Sequence, residues 1–254
     1  MKVYLTNLNE SWIVDRLRDE WYKHNTSISV DSIKQAEIIW IIAPWLWKKI
    51  KKKHLRDKKV VCSIYHLEDK DFEHKQIRDF KKRDSFVDVY HVISLKTKNE
   101  LEKLTDKEII YIPFWSDQLS WYEIKDKDSL RKKYNLPLDA YILGSFQRDT
   151  EGSDLKSPKL IKGPDRLVKI IEAKNRDSDK LVVLLSGKRR QYIIKELENL
   201  NITYKYFEMV ETDQLNELYN CLDLYVVSSR IEGGPQAIIE CGLSKTPIIS
   251  TDVG

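Results

Sequence analysis

At 254 residues the chain has room for one large domain or two small ones. Its 41% hydrophobic content supports a core and its 33% charged content a wet surface, while a net charge of only +4 gives no global case for nucleic-acid binding. The three cysteines, Cys62, Cys221 and Cys241, lack CxxC spacing and stand in apolar segments, which predicts reduced thiols and a cytoplasmic protein.

The first residues, Met1-Lys-Val-Tyr-Leu-Thr-Asn-Leu-Asn-Glu, contain no signal-peptide apolar region. Residues 2–5 predict a strand and 11–24 a helix. Further strands are expected at 37–43, 60–65, 90–94 and 109–112, alternating with charged helices. Such alternation implies a parallel sheet with helices on its faces. The longest apolar run, 38–47, is broken by Pro44 and is too short to span a bilayer. It leads into residues 48–59, which hold eight Lys or Arg and one Asp, beside Trp40, Trp45 and Trp47. This stretch reads as a solvated helix face, or as a peripheral contact with an anionic membrane surface, where lysines and aromatics sit at headgroups.

A polar stretch at 116–137 reads as a linker with an entry helix, dividing the chain into domains at 1–120 and 121–254. The second alternating series has strands at 141–146, 181–186, 203–207, 224–227 and 247–250. Its helices are expected at 164–173, 190–199, 213–221 and 236–243. Residues 148–162 form a long polar loop, and long loops in such folds are often functional.

The last quarter concentrates the chemistry. Residues 226–250 read as strand, glycine turn, helix, strand. Glu232 stands just before Gly233-Gly234-Pro235, and Glu240 lies within the helix that follows. Backbone N–H groups at a helix start can hold a phosphate, and carboxylates can hold polyol hydroxyls. That combination suits a nucleotide-sugar. Pro235 suits the first helical position, where no N–H is needed. Glu100 and Glu108 share the spacing of Glu232 and Glu240 but have no glycine turn between them, so their spacing is read as chance. The residues alone are equally compatible with a plain β-turn-α unit carrying a solvated Glu.

The run Ser-Arg-Ile-Glu-Gly-Gly-Pro-Gln-Ala-Ile-Ile-Glu-Cys-Gly resembles the signature of glycosyltransferase family 4, the retaining "glycosyl transferases group 1" of the GT-B fold. Residues 213–226, Lys162-Gly163-Pro-Asp165 and residues 110–117 resemble neighbouring family segments. The resemblance covers most of 60–254 and is specific around 205–254. It implies an α/β fold with two Rossmann-like β/α/β domains facing a cleft, the first on the acceptor side and the second holding the nucleotide-sugar. The glycine-rich loop usual after the family's first strand is absent. The chain also stops at Gly254, where family members continue, so a second domain truncated at its C-terminus is expected.

The resemblance also implies roles. Glu232 would bind sugar hydroxyls near the reacting carbon, and Glu240 the ribose hydroxyls. Gly233, Gly234, Pro235 and Gln236 would let the backbone approach the diphosphate. Lys162 would neutralise the leaving diphosphate, with Arg148 as its partner, although Arg148 comes a few residues later than the family pattern. Base recognition would fall near 207–210, at Met209. His66, following a strand, would meet the donor or the developing charge. For each residue the plain alternative is structural: a turn Glu, a helix-start Glu, a tight turn or a surface His. His24, His54, His74 and His91 are given no role.

The implied reaction is metal-independent hexosyl transfer from a nucleotide-diphosphate-sugar to a glycan or lipid-linked acceptor, with retention. No cofactor is expected beyond the donor. Polysaccharide or lipopolysaccharide biosynthesis at the inner face of a membrane is the expected setting. The D-x-D patterns at Asp69/Asp71, Asp126/Asp128 and Asp177/Asp179 are read as chance in an acid-rich chain, and there is no His/Cys cluster with zinc spacing. A truncated, non-catalytic GT-B nucleotide-binding module is the first rival reading. A sugar-nucleotide epimerase or phosphorylase of similar fold is the second.

Overall fold

The computed structural model describes residues 1–8, 13–67, 74–177 and 180–254. Asp69, Asp71 and Asp179 of the D-x-D patterns, and the expected helix start at Ser11, lie outside them. Contacts divide the chain into two units, Met1–Ser116 and Asp117–Val253.

The first unit runs β1 (Val3–Leu5), α1 (Ile13–His24), β2 (Ile38–Ile41), a 3-10 turn (Pro44–Lys49), α2 (Lys52–Asp57), β3 (Lys59–Ile64), α3 (His74–Asp84), β4 (Val89–Val92), α4 (Leu95–Leu101) and β5 (Glu108–Tyr111). The strands form a parallel sheet in the order β1-β2-β3-β4-β5. Parallel neighbours need a crossover between them, which explains the alternation in the sequence. Leu5, Ile39, Ile41, Val60, Cys62 and Val92 fill the core beneath the helices.

A polar thread crosses this core. Trp40 Nε1 donates to Ser63 Oγ at 2.9 Å, Ser63 Oγ lies 2.9 Å from His91 Nδ1, and His91 Nε2 lies 2.9 Å from Ile112 O. A carbonyl only accepts, so Nε2 carries the hydrogen and Nδ1 accepts from Ser63. Burial lowers the pKa of His91 and so favours its neutral ring.

The lysine-rich stretch does not present three tryptophans together. Trp40 packs edge-on against Trp21 at 5.0 Å and against Trp115 at 5.9 Å. Trp47 is buried against Phe86. Only Trp45 of the three is exposed, at 51%. The apolar residues Leu46, Trp47 and Leu55 root this basic stretch in the core, and burial of aromatic area outweighs exposure of a stripe.

The second unit contains α5 (Lys127–Lys133), β6 (Tyr141–Ser145), β7 (Thr150–Glu151), β8 (Ser157–Pro158), a 3-10 turn (Leu160–Lys162), α6 (Pro164–Arg176), β9 (Leu181–Ser186), α7 (Gln191–Asn199), β10 (Thr203–Phe207), α8 (Thr212–Asn220), β11 (Leu224–Val227), α9 (Gln236–Ser244) and β12 (Ile248–Ser250). Its main sheet is parallel, in the order β10-β9-β6-β11-β12. β9 is buried along its whole length, as its unbroken Leu-Val-Val-Leu-Leu run requires of an inner parallel strand. Trp115 packs with the first core and Trp121 with the second, on either side of the Ser116/Asp117 boundary.

Two expectations need correction. The loop at 148–162 holds an antiparallel β7–β8 pair and a 3-10 turn, because Asp149 and Thr150 are buried and anchored rather than solvated. Pro235 is not the first helical residue: with φ −63° and ψ 119° it is extended and caps α9 from outside. Pro164 takes the first helical position instead, in α6.

Asp126 has a structural use. Its carboxylate caps α5 by accepting from Ser129 N at 3.0 Å. Among the described residues no group of three His, Cys, Asp or Glu side chains is placed to hold a metal ion, and no helix is long and apolar enough to cross a membrane.

Candidate functional site

β6 and β11 are neighbours in the sheet and run parallel, so the loops after Ser145 and Val227 leave the same edge. Ligands of open α/β sheets sit at such carboxyl edges. Lys162 reaches this edge through Gly163. Gly163 has φ 63° and ψ 39°, and a Cβ added there would lie 1.9 Å from Ser228 O. Only glycine allows both the left-handed backbone and the close approach. The glycine of the Lys162-Gly163 pair is therefore a steric requirement of this corner.

Lys162 Nζ lies 2.5 Å from Glu232 Oε1. Ser229 Oγ lies 2.8 Å from the same oxygen and 3.2 Å from Gln147 Oε1. Gln147 Nε2 donates to Lys162 O at 2.9 Å. Four side chains from three separate segments thus meet. The Lys162 and Glu232 side chains keep 23% and 12% exposure, enough to remain open to solvent at one side. Ser229 is fully buried and fixes the carboxylate from beneath.

Two ion pairs brace the corner. Arg230 grips Asp165 bidentately at 2.7 and 2.6 Å, and its backbone N–H donates to Ile161 O at 2.8 Å. The Arg230 guanidinium holds the Asp165 carboxyl below its usual range. This fork fastens the start of α6 to the loop after β11.

The second pair is deeper. Arg190 Nε lies 2.6 Å from Asp149 Oδ2, and both side chains are buried. Arg190 also donates to the Gln147 and Ser145 side of the loop, bonding Gln147 O and Ser145 Oγ. Burial pushes the Asp149 carboxyl up and the Arg190 guanidinium down, and each charge opposes the other's shift.

Glu240 lies on α9, 4% exposed, and Tyr219 OH donates to its Oε2 at 2.6 Å. Burial, and then the Glu240 charge, push the Tyr219 phenol well above its ordinary pKa, which keeps it a donor.

The other expected site residues are dispersed. Arg148 is half-buried, and its Nε donates to Thr150 O at 3.2 Å within its own loop. The bonds that gather Lys162, Glu232, Ser229 and Gln147 do not include it. Burial, and then Arg189, lower its pKa. Met209 follows β10 and is 46% exposed. Gly233, Gly234 and Pro235 lead into α9, and Gln236 is its first residue. His66 belongs to the first unit, half-buried just beyond β3. Gln147, Ser229, Tyr219 and the Asp149–Arg190 pair carry no signal that composition or spacing could raise. Ser229, inside the family-like run, and Tyr219, inside the family-like segment 213–226, stood in such segments without being singled out.

Comparison with known proteins adds three findings. Residues 157–254 match the family model described as glycosyl transferases group 1. The chain is 27% identical over 180 residues to "Putative teichuronic acid biosynthesis glycosyltransferase TuaC" of Bacillus subtilis (strain 168), covering 69% of this chain and 41% of that protein. The chain thus spans less than half the length of that curated relative. Among solved structures, Anabaena HepE in complex with UDP and glucose superposes with a TM-score of 0.76 at 12% identity, over 99% of this chain and 80% of that one. WaaG, a glycosyltransferase involved in lipopolysaccharide biosynthesis, superposes with a TM-score of 0.66 at 12% identity, over 99% of this chain and 81% of that one. Residues 157–254 are thus similar to the glycosyl transferases group 1, and the fold of the chain is that of the GT-B glycosyltransferases.

Proposed function

We propose that the chain transfers a sugar from a nucleotide-diphosphate-sugar to a glycan or lipid-linked acceptor, without a metal and with retention. The second unit would hold the donor and the first would recognise the acceptor. The observation that carries this reading is the 2.5 Å Lys162–Glu232 pair, braced by Ser229 and Gln147 at the edge where α9 begins. An ammonium has three N–H donors, so Lys162 can hold Glu232 and a diphosphate oxygen together. Fixed positive charge at the departing diphosphate would stabilise the charge that develops as the sugar–phosphate bond breaks. Glu232 would meanwhile accept from sugar hydroxyls. The backbone N–H groups of Gly233, Gly234 and Gln236 would face the diphosphate, Pro235, which has none, would set the turn between them, and Glu240 would hold the ribose. Arg148 and Met209 are assigned to the donor's outer contacts. His66 is the first unit's candidate for the developing charge. That HepE was solved with UDP supports a uridine donor as the first choice.

The test is thermal stability against UDP, GDP, ADP, CDP and their sugars, followed by turnover with the nucleotide-sugar that binds. A ligand at about 100 times its dissociation constant adds roughly 2.7 kcal/mol, a shift of a few degrees. One nucleotide standing out, with sugar transferred to an added glycan acceptor, supports the reading. Binding without turnover points to the non-catalytic module. Product without an acceptor, or a need for inorganic phosphate, points to an epimerase or phosphorylase.

The reading extends to an anionic membrane surface. Exposed Trp45 stands beside exposed Lys48, Lys49, Lys51, Lys52, Lys53 and Arg56, all rooted in the core by Leu46 and Leu55. Each such cation near an anionic surface contributes about 1 kcal/mol. Sedimentation with phosphatidylglycerol vesicles but not phosphatidylcholine vesicles, at low salt, supports it. Equal behaviour with both removes it.

A further inference from the structure

We infer that Tyr219 is a positioning residue for the nucleotide's ribose, acting through Glu240; this rests on the donor-site reading above. Tyr219 lies on α8 and Glu240 on α9, so their bond joins two helices. The Tyr219 hydroxyl donates to Glu240 Oε2 at 2.6 Å, and both residues are buried. A carboxylate can rotate about its last torsion, and that torsion is broad and weakly restrained by itself. One short, charge-assisted bond to one oxygen removes that freedom and sets where the other oxygen points.

The phenol itself cannot drift. Its ring is packed between Phe146 at 4.9 Å, Tyr225 at 5.2 Å and Trp121 at 5.7 Å, and Thr246 Oγ1 donates to its backbone carbonyl at 3.0 Å. A fully buried hydroxyl aimed at a carboxylate is thus held by an aromatic box. A diol binding to Glu240 meets a carboxylate whose orientation is already set, so binding loses less orientational entropy.

Tyr225 supplies an internal control. It belongs to the same box and is equally buried, but its hydroxyl accepts from Phe146 N at 3.0 Å instead of reaching Glu240. Tyr225→Phe removes a buried hydroxyl from the same cluster without touching the carboxylate.

The experiment is calorimetric titration of UDP and 2′,3′-dideoxy-UDP into the wild type, Tyr219→Phe and Tyr225→Phe, each first shown to be folded by its melting curve. The wild type should prefer the ribonucleotide by about 10-fold or more, the worth of hydrogen bonds to a charged group. Tyr219→Phe should cut that preference about 3- to 10-fold while leaving dideoxy-UDP binding nearly unchanged. Tyr225→Phe should keep it. A wild-type preference retained in Tyr219→Phe overturns the inference alone, and so does an equal loss for both ligands in both variants. Where another nucleotide stands out in the thermal panel, it and its 2′,3′-dideoxy form replace UDP; no preference in the wild type, or no binding of any nucleotide of the panel, overturns the donor-site reading and the inference with it. Should Tyr219→Phe melt too low to titrate at room temperature, the same titrations are run in the cold, below its melting range; a preference equal to wild type there overturns the positioning role, and a reduced preference supports it.

Discussion

Lys162 and Glu232, seventy residues apart in sequence, meet at 2.5 Å. The pair is joined because Gly163 turns left-handed against Ser228 O and because β6 and β11 are adjacent. The chemistry proposed for this chain depends on that meeting and on the frame that holds it.

Removing either partner should separate binding from chemistry. Lys162→Ala should lower kcat about 10²- to 10³-fold, the usual loss when one preorganised charge-stabilising group is removed. Glu232→Gln should suppress transfer while nucleotide binding changes little. Steady-state kinetics with the nucleotide-sugar chosen by the thermal panel, together with direct binding of the nucleotide, check both. Unchanged turnover in both variants would sink the site assignment.

Gly163→Ala tests the steric corner. The added Cβ would stand 1.9 Å from Ser228 O at φ 63°. A non-glycine left-handed residue alone costs on the order of 1–3 kcal/mol, and the clash adds to it. Urea unfolding should show a loss of at least about 2 kcal/mol, with weakened nucleotide binding as the corner shifts. A loss comparable to an exposed surface substitution would contradict the packing described here.

The Asp149–Arg190 pair should behave as a buried ion pair. Arg190→Met leaves an uncompensated carboxylate and should destabilise by about 3–5 kcal/mol. Asp149→Asn with Arg190→Met together should recover part of that loss, because no lone charge is left in the core. Chemical denaturation of the two single variants and the double variant measures the coupling.

His91 gives the first unit a pH dependence of definite sign. Its folded pKa is lowered by burial, so the unfolded chain takes up the proton first. The stability held by the neutral ring is complete above the unfolded value of about 6.5 and is lost progressively as pH falls below it. Protonation at Nδ1 would also reverse the Ser63 bond, so that Ser63 Oγ accepts from both Trp40 Nε1 and His91 Nδ1 and its own hydrogen loses that partner. Unfolding free energy should fall between about pH 6.5 and 5 in the wild type, and His91→Gln should flatten that slope. An equal slope in both would place the effect elsewhere.

The alternation of short apolar runs with charged helices made the parallel α/β architecture legible, because period-2 and period-3.6 patterns are local. β9, β10 and β11 fall where their runs of Val, Leu and Tyr stand. The family-like run around Glu232 and Glu240 was equally legible, as a strand, turn and helix in one stretch of chain. Less was visible in the loop at 148–162, where Asp149 looks like any solvated acid until Arg190, forty-one positions later, buries it. Pro235 was misplaced by one position for a related reason: proline suits both the cap and the first turn, and only the backbone angles separate the two.

Taken alone, the amino-acid order determined the main strands and helices and the run that resembles the group 1 signature, since each depends on residues near in sequence. The partners were decided by the tertiary structure alone. Sheet order sets which loops share an edge, and core packing sets which side chains lose water. Those two together bring Gln147 to Ser229, Ser229 and Lys162 to Glu232, Tyr219 to Glu240, and Trp40 and Trp47 into a core that leaves Trp45 outside. Long-range contacts of this kind follow from how the whole chain closes, which no local pattern encodes.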